Sequence, residues 1–193
     1  MKRFVSVLVF AATIAMSSPA WSLGSFGAKG GTGLGFTIPE GDSVADYVAP
    51  NVTPSVFGVT WTLGLLVAEV ELDLLYVRTT TSGGTPNVAK RTSNHLAIPA
   101  IAKLQIPIVP MLAGLQFGAG LEMRYNFDTD PLPGGSAEQE AMVFYVPIVI
   151  GADIDAQLAR ATAEIRYEHQ ITDGVKGDGS RVHQLLFLVG ASL

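Results

Sequence analysis

Three histidines and a set of carboxylates are the side chains of this chain that offer acid–base or metal-binding chemistry. Cysteine is absent, which excludes disulfides, thiolate nucleophiles and thiolate metal sites. His95 and His183 have no second histidine or cysteine at ligand spacing along the sequence. We therefore expect each to lie near a strand end beside a long loop, hydrogen-bonded to water. No metal site and no cofactor site is predicted.

His169, in the segment "RYEHQITDG", is the histidine placed where an enzyme could use it. The position resembles that in lipid A deacylases, barrel enzymes whose motif has a serine two residues after a histidine near the end of a late strand. Here Ile171 occupies the serine position, and Thr172 lies beyond it. A nucleophile and its base must lie within hydrogen-bond reach of each other. The sequence therefore predicts no catalytic residue, and a deacylase-like, lipid A-modifying enzyme stays an alternative.

Four carboxylates make one long connection acidic: Asp128, Asp130, Glu138 and Glu140. Oxygen ligands of this kind suit a hard divalent cation, here one that would bridge to lipopolysaccharide phosphate. Acidic loops are more often simply solvated, and we favour that interpretation.

The elements that must position these residues are β-strands. Residues 69–78, "EVELDLLYVR", alternate strictly, which places Glu69, Glu71 and Asp73 on one face and apolar side chains on the other. Similar segments recur along the chain, separated by turn-rich stretches. They predict eight strands, at 25–38, 55–67, 69–79, 93–107, 111–125, 141–153, 156–169 and 181–193.

Composition indicates contact with lipid. The chain of 193 residues is 48% hydrophobic and only 15% charged, with a mean hydropathy of +0.37, yet no internal apolar run is long enough for a membrane-spanning helix. The net charge of −5 and the lack of a basic patch argue against nucleic acid as a partner. If the chain enters a membrane, it must do so as strands.

The first 22 residues have the features of a cleaved signal peptide. Lys2 and Arg3 precede the apolar run "FVSVLVFAATIAM", and Ala20 and Ser22 satisfy the small-x-small rule for cleavage. A membrane-anchoring helix is disfavoured because the run is short and is followed by Pro19. Residues 1–22 are therefore interpreted as the signal peptide and residues 23–193 as one barrel domain, in an exported protein.

The connections between the predicted strands alternate between long and short. Outer-membrane barrels have short periplasmic turns and long extracellular loops, and strands of roughly ten residues suffice to cross the bilayer. The predicted fold is an all-β, eight-stranded, antiparallel, up-and-down transmembrane barrel in the bacterial outer membrane.

One face of the predicted strands carries charges and glycines, and the other is apolar. Low total charge and the many glycines favour an apolar exterior in lipid and a charged interior that is filled rather than open. Lys103 is expected to reach Glu71 or Asp73 there. Aromatic residues near the long-loop ends, Phe36, Tyr76, Tyr125, Phe127 and Tyr167, are expected to form an interfacial girdle. The predicted interior charge network comprises Lys29, Glu69, Glu71, Asp73, Lys103, Glu122, Arg124, Asp153, Arg160, Glu164, Arg166 and Glu168.

The segments "HLAIPAIAKLQIP", "LAGLQFGAG" and "VPIVIGADIDAQLARATAEIRYEHQITD" resemble the outer-membrane protein β-barrel domain family of small bacterial barrels. The resemblance covers roughly residues 93–173 and implies a barrel fold without an assigned chemistry. Barrels of this kind usually end in an aromatic residue that the assembly machinery recognises, whereas this chain ends in Leu193, with Phe187 six residues earlier. The matching positions are Leu96, Ile98, Pro99, Lys103, Gly118, Gly120, Gly151, Ala152, Arg166 and Tyr167.

The functional hypothesis is a structural or interaction protein, such as an adhesin, with four long surface loops on a plugged barrel. The alternatives are the lipid A-modifying enzyme and a narrow porin-like channel. Expected partners are outer-membrane lipid, lipopolysaccharide, the barrel assembly machinery and a surface ligand bound through the loops. We expect a monomer.

Overall fold

The computed structural model describes eight stretches of the chain. Residues 1–22, interpreted as the signal peptide, lie outside these stretches. Within the eight described stretches, no helix is long and apolar enough to span a membrane. The described residues are 24–38, 52–65, 68–81, 91–109, 112–129, 140–156, 158–172 and 181–193.

Eight antiparallel strands form one closed barrel in which each strand pairs with its neighbours in the chain and β1 pairs with β8. This confirms the predicted up-and-down barrel. The alternating pattern accounts for the strands, because each sends one set of side chains outward and the other inward. The strands are β1 (Ser25–Ile38), β2 (Val52–Leu65), β3 (Ala68–Thr81), β4 (Arg91–Val109), β5 (Ala113–Thr129), β6 (Met142–Asp155), β7 (Arg160–Gln170) and β8 (Arg181–Ser192).

Most strand limits differ from the predicted ones by a few residues, and the largest differences are at β5 and β7. The prediction started β7 at residue 156, but the strand begins at Arg160, which pairs with Asp155 of β6. Residues 156–159 form the connection, where the Ala156 N–H donates to the Ala159 carbonyl at 2.8 Å. Ala156, Leu158 and Ala159 are small or apolar and continue the apolar pattern, so periodicity alone predicts a strand at these positions.

The stretches between strands alternate in length as expected. Residues 66–67, 110–112 and 156–159 join strands at one end of the barrel, and 39–51, 82–90, 130–141 and 171–180 join them at the other. Phe26 and Leu193 exchange backbone hydrogen bonds of 3.3 and 2.9 Å where β1 meets β8. The start of β1 and the end of β8 therefore lie together at the short-turn end of the barrel.

The exterior is apolar along the middle of the barrel. Leu121, Ile150 and Val189 have exposed fractions of 63%, 55% and 67%. On β3, Leu72 and Leu74 face outward, whereas the carboxylates that alternate with them are buried. An apolar exterior of this kind is stable in hydrocarbon, because the backbone groups of a closed sheet are hydrogen-bonded between its own strands.

The predicted girdle residues lie at the long-loop ends of their strands. Tyr125, Phe127 and Tyr167 are exposed on the outside. The ring of Tyr76 lies 4.9 Å from that of Phe57 and 6.2 Å from that of Phe127, measured between centroids. These three rings, from β2, β3 and β5, lie close together, as the aromatic residues of an interfacial girdle do.

Close packing of β1 against β8 depends on glycine. Gly31 pairs with Leu188, and a Cβ atom at this position would overlap the Phe187 carbonyl oxygen. The absence of a side chain on this part of β1 leaves room inside the barrel for the larger side chains of β8.

Candidate functional site in the barrel interior

The residues of the predicted charge network all point into the barrel. All are buried except Arg160, which is half-buried at the short-turn end. Their contacts divide them into three groups. The central cluster is Lys29, Glu71, Asp73, Lys103, Glu164 and Arg166; the short-turn cluster is Glu69, Asp153 and Arg160; the long-loop cluster is Glu122, Arg124 and Glu168.

Arg166 contacts all three carboxylates of the central cluster. Its Nη2 lies 2.6 Å from Glu164, 3.0 Å from Asp73 and 3.2 Å from Glu71. Glu164 is two residues away on the same strand, but the other two acids belong to β3, across the lumen. The guanidinium therefore joins two distant walls of the barrel.

Two lysines complete the central cluster. Lys103 Nζ lies 2.6 Å from Glu71 Oε2 and 3.0 Å from Glu164 Oε2. Lys29 Nζ lies 2.6 Å from Glu71 Oε1, 3.2 Å from Glu164 Oε2 and 3.6 Å from Asp73. Of the two partners expected for Lys103, Glu71 is the one it contacts. Three cations thus face three carboxylates, which balances the formal charge.

The short-turn cluster centres on Arg160. Its Nη1 lies 2.5 Å from Glu69 Oε2, and its Nε lies 3.4 Å from Asp153 Oδ2. Gln105 donates to Glu69 at 2.5 Å, and Gln116 donates to Asp153 at 3.1 Å. Neutral amides therefore supply part of the hydrogen bonding that the single cation cannot give to both carboxylates.

The long-loop cluster also has one cation for two carboxylates. Arg124 Nη2 contacts Glu122 and lies 2.7 Å from Glu168 Oε2, while its Nη1 donates to Gln184 at 3.1 Å. The guanidinium carbon lies 4.2 Å from the centre of the Tyr145 ring, in cation–π geometry. Among the described residues, no group hydrogen-bonds to Glu122 Oε2 or to Glu168 Oε1.

A buried apolar group, which the sequence reasoning missed, occupies part of the same interior. We call it the apolar cluster; its members are Val56, Leu75, Val77, Ala97, Leu186 and Leu188, from β2, β3, β4 and β8. Leu75 and Val77 continue the inward face of β3 beyond Asp73. The signal was therefore available in the alternation, but the prediction followed only the charged part of that face.

A cavity of about 100 Å³ opens at the long-loop end of the barrel. Arg124 and Tyr145 contribute to its lining, as do Thr79, His95 and Glu140. The volume suffices for a few water molecules, and below it the ion pairs and the apolar cluster occupy the lumen.

Each histidine lies near the long-connection end of its strand, as expected, but the contacts of their side chains differ from the expectation. His95 lines the interior cavity rather than an outer rim, since positions 95, 97 and 103 share the inward face of β4. His183 faces outward and pairs with His169 across β7 and β8. Their Nδ1 atoms are 3.3 Å apart, so two histidines do approach ligand spacing, contrary to the sequence-based expectation.

The residues considered for hydrolase chemistry do not form a nucleophile–base pair. Thr172 Oγ1 accepts a hydrogen bond from the Phe144 N–H at 2.9 Å, and the Nδ1 atom of His169 contacts His183. Of the acidic connection, Asp130 and Glu138 lie outside the described residues, and Asp128 accepts a hydrogen bond from Asn94 at 3.0 Å. Within the described ranges, no group of three or more acidic, histidine or cysteine residues could hold a metal ion.

Comparison with solved structures identifies the fold. The barrel is similar to Neisserial surface protein A, NspA, with 12% identity and a TM-score of 0.55. The match covers 90% of this chain and 98% of the other. It is also similar to Ail, the attachment invasion locus protein of Yersinia pestis, in complex with the heparin analogue sucrose octasulfate. That match covers 89% and 99% of the two chains, with 10% identity and a TM-score of 0.51.

No family model matches the chain, and no curated protein matches it. The structural likeness is one of fold, and the fold is that of small eight-stranded outer-membrane barrels. The predicted fold class is thereby confirmed. The apolar exterior and the closed sheet agree with the predicted location in a bacterial outer membrane.

Proposed function

We propose that the protein is an integral outer-membrane barrel that is closed to solutes and supports four surface loops in a structural or interaction role, such as adhesion. The observation that carries the proposal is the set of ion pairs across the lumen. Lys103 of β4 and Arg166 of β7 both contact Glu164 and Glu71, so side chains from opposite walls meet in the centre. An eight-stranded barrel is just wide enough for its side chains to fill it.

A rigid, filled barrel is suited to holding loops rather than to transport. The four long connections leave the same end of the barrel, and binding residues in proteins often lie on loops positioned by a rigid scaffold. Ail, one of the similar structures, bears the name of an attachment invasion locus protein. For the present chain, we propose a surface ligand bound through the loops.

Conductance across a planar bilayer tests the closed interior. The purified barrel is expected to give no stepwise current, because a solute path would require several buried ion pairs to separate. A known porin reconstituted in the same bilayers is the positive control. Reproducible current steps from the wild-type protein would contradict the plugged form and favour the narrow-channel alternative.

Replacing each long connection with a short turn tests the interaction role. Residues 39–51, 82–90, 130–141 and 171–180 are shortened one at a time in cells that express the protein, and adhesion to surfaces coated with host cells or extracellular matrix is measured. At least one variant is expected to lose binding. Substitution within the short turn 156–159 is the matched control. Equal binding by all loop variants and wild type would refute an interaction role of these loops.

Lipid A analysis tests the enzymatic alternative. The hydroxyl oxygen of Thr172 is engaged by the Phe144 N–H, and Ile171 offers no nucleophile. Cells that express the protein are therefore expected to retain lipid A of unchanged mass. Loss of one acyl chain, absent from cells without the protein, would instead support a hydrolase.

The proposal also includes the processing and surroundings of the chain. Signal peptidase is expected to remove residues 1–22, the assembly machinery to insert residues 23–193 as a monomer, and lipid and lipopolysaccharide to cover the exterior. N-terminal sequencing of the protein purified from outer membranes should begin at Leu23. A chain that retains Met1 would refute the cleavage.

A further inference from the structure

Three polar side-chain atoms converge on the outside of the barrel, at its long-loop end. His169 and His183 are cross-strand partners on β7 and β8, and their Nδ1 atoms lie 3.3 Å apart. The Tyr167 hydroxyl oxygen lies 2.7 Å from His183 Nδ1. We call this group the histidine pair with its tyrosine. It lies apart from the three interior ion clusters and the apolar cluster.

Hydrogen bonds among these three side chains cannot satisfy all of their polar atoms. A neutral imidazole Nδ1 has either one hydrogen to donate or one lone pair to accept. His183 Nδ1 nevertheless has two close neighbours, Tyr167 Oη and His169 Nδ1. One ring nitrogen therefore has more partners than it can fully satisfy, and the Nδ1 atoms of two imidazoles are close neighbours on the outer surface.

The separation of the two nitrogens fits a shared transition-metal ion. Zinc binds imidazole nitrogen at about 2.0–2.1 Å in tetrahedral geometry, which places two such nitrogens about 3.3 Å apart. The observed separation is 3.3 Å. Imidazole is a preferred ligand of zinc, copper and nickel, whereas calcium and magnesium prefer oxygen.

The pair is also accessible to a metal ion. His169 is the penultimate residue of β7 and His183 the third of β8, so both lie close to the connection 171–180. Their neighbours on the adjoining strands are Val146 of β6 and Phe36 of β1, which bring no competing charge. Arg181, two residues before His183 on the same face of β8, is a cation that opposes metal binding, so affinity must come from the two imidazoles.

The geometry points to a surface site in which His169 Nδ1 and His183 Nδ1 bind one divalent transition-metal ion of the zinc class. Because the single lone pair of His183 Nδ1 cannot hold both the ion and the hydrogen bond with Tyr167 Oη, metal binding replaces that hydrogen bond. The tyrosine hydroxyl is then free to hydrogen-bond to one of the water molecules that complete the coordination. Because the ligands come from β7 and β8, the ion would link the last two strands of the barrel beside a long loop. This site is independent of the proposed adhesion role.

Zinc titration of the refolded mature barrel in detergent micelles tests the site. The protein is purified without a polyhistidine tag, and calorimetry measures the binding of Zn²⁺ alone. We expect saturation at one ion per barrel. His169→Ala and His183→Ala should each weaken binding by at least about tenfold, because one imidazole cannot replace two. Cobalt substitution should give the visible absorption of a four-coordinate ion.

His95→Ala is the matched control, because it removes the remaining histidine of the chain from the barrel interior. This variant should bind zinc as the wild type does. All variants must show the gel mobility of folded barrel, so that lost binding does not reflect lost structure. Absence of saturable zinc binding by the wild type would overturn the site, as would equal loss of binding in the His95 and His169 variants.

Discussion

Two regions of the barrel interior are packed on different principles. The central cluster consists of ion pairs, several of them between strands that are not neighbours, whereas the apolar cluster consists of aliphatic side chains from β2, β3, β4 and β8. On β3 the change from one to the other occurs between Asp73 and Leu75. A barrel in lipid must have an apolar exterior, but its interior can be filled by either kind of packing, provided that every buried charge has a partner.

The difference has a consequence for tolerance to substitution. An apolar cluster requires volume, and a smaller aliphatic residue leaves a cavity whose cost increases with its size. An ion cluster requires a partner for every charge, so removal of one side chain leaves the others uncompensated. The ion clusters also differ among themselves, because the central one is balanced and the long-loop one has two carboxylates for one arginine.

Arg166→Met should have the largest effect. The substitution removes the group that contacts Glu71, Asp73 and Glu164, and should lower the free energy of unfolding by about 3–5 kcal/mol. The measurement is the urea midpoint of the barrel in detergent, followed by tryptophan fluorescence. Arg181→Met, at an exposed position of β8, is the control. Equal midpoints for the two variants would show that the central cluster does not stabilise the barrel.

Lys103→Met should have a smaller effect than loss of Arg166. Its two carboxylate partners, Glu71 and Glu164, keep their contacts with Lys29 and Arg166, so we expect a loss of about 3 kcal/mol. The temperature at which the gel mobility changes from folded to unfolded measures it. Ala102→Met, the adjacent lipid-facing residue, should leave that temperature nearly unchanged. An unchanged temperature for the lysine variant would argue against its interior role.

Leu75→Ala tests the apolar cluster. The side chain is 1% exposed, and its truncation should cost about 2–3 kcal/mol through lost contacts and a new cavity. The neighbouring Leu74→Ala removes the same atoms from the lipid-facing side and should cost less, because lipid chains can fill the space. The same urea midpoints compare the two variants. Equal losses of stability in the two variants would mean that the interior side chains around Leu75 fill the new space as readily as lipid chains do around Leu74.

Glu168→Gln should have the smallest effect. It removes one of the two carboxylates that share Arg124 and keeps an oxygen that can accept from the guanidinium, so the change should stay within about 1 kcal/mol. Glu164→Gln, in the balanced cluster, should cost more because three cations contact that carboxylate. Thermal gel-shift midpoints would measure both. A greater loss for the Glu168 variant would refute the distinction between balanced and unbalanced clusters.

Much of the fold could be predicted because alternation along a strand is local. The parity of residues 69–78 places three carboxylates on one face whatever the rest of the chain does. The same parity, continued past Asp73, would also have placed Leu75 and Val77 inside. Along β4 it would have placed His95 inside as well, although we expected that histidine at a rim. The start of β7 could not be predicted in this way, since Ala156, Leu158 and Ala159 are small or apolar and the backbone hydrogen bond between Ala156 and Ala159 is what distinguishes the turn from strand.

Which side chains contact each other, in contrast, is determined by the closed barrel. Nothing near Arg166 in the sequence indicates that its guanidinium meets Asp73, because that contact requires β7 and β3 to face each other across the lumen. The approach of His169 to His183 likewise depends on the register between β7 and β8. Local periodicity decides which face a side chain is on. Which atoms then meet depends on strand register and closure, because these bring together residues far apart in the chain.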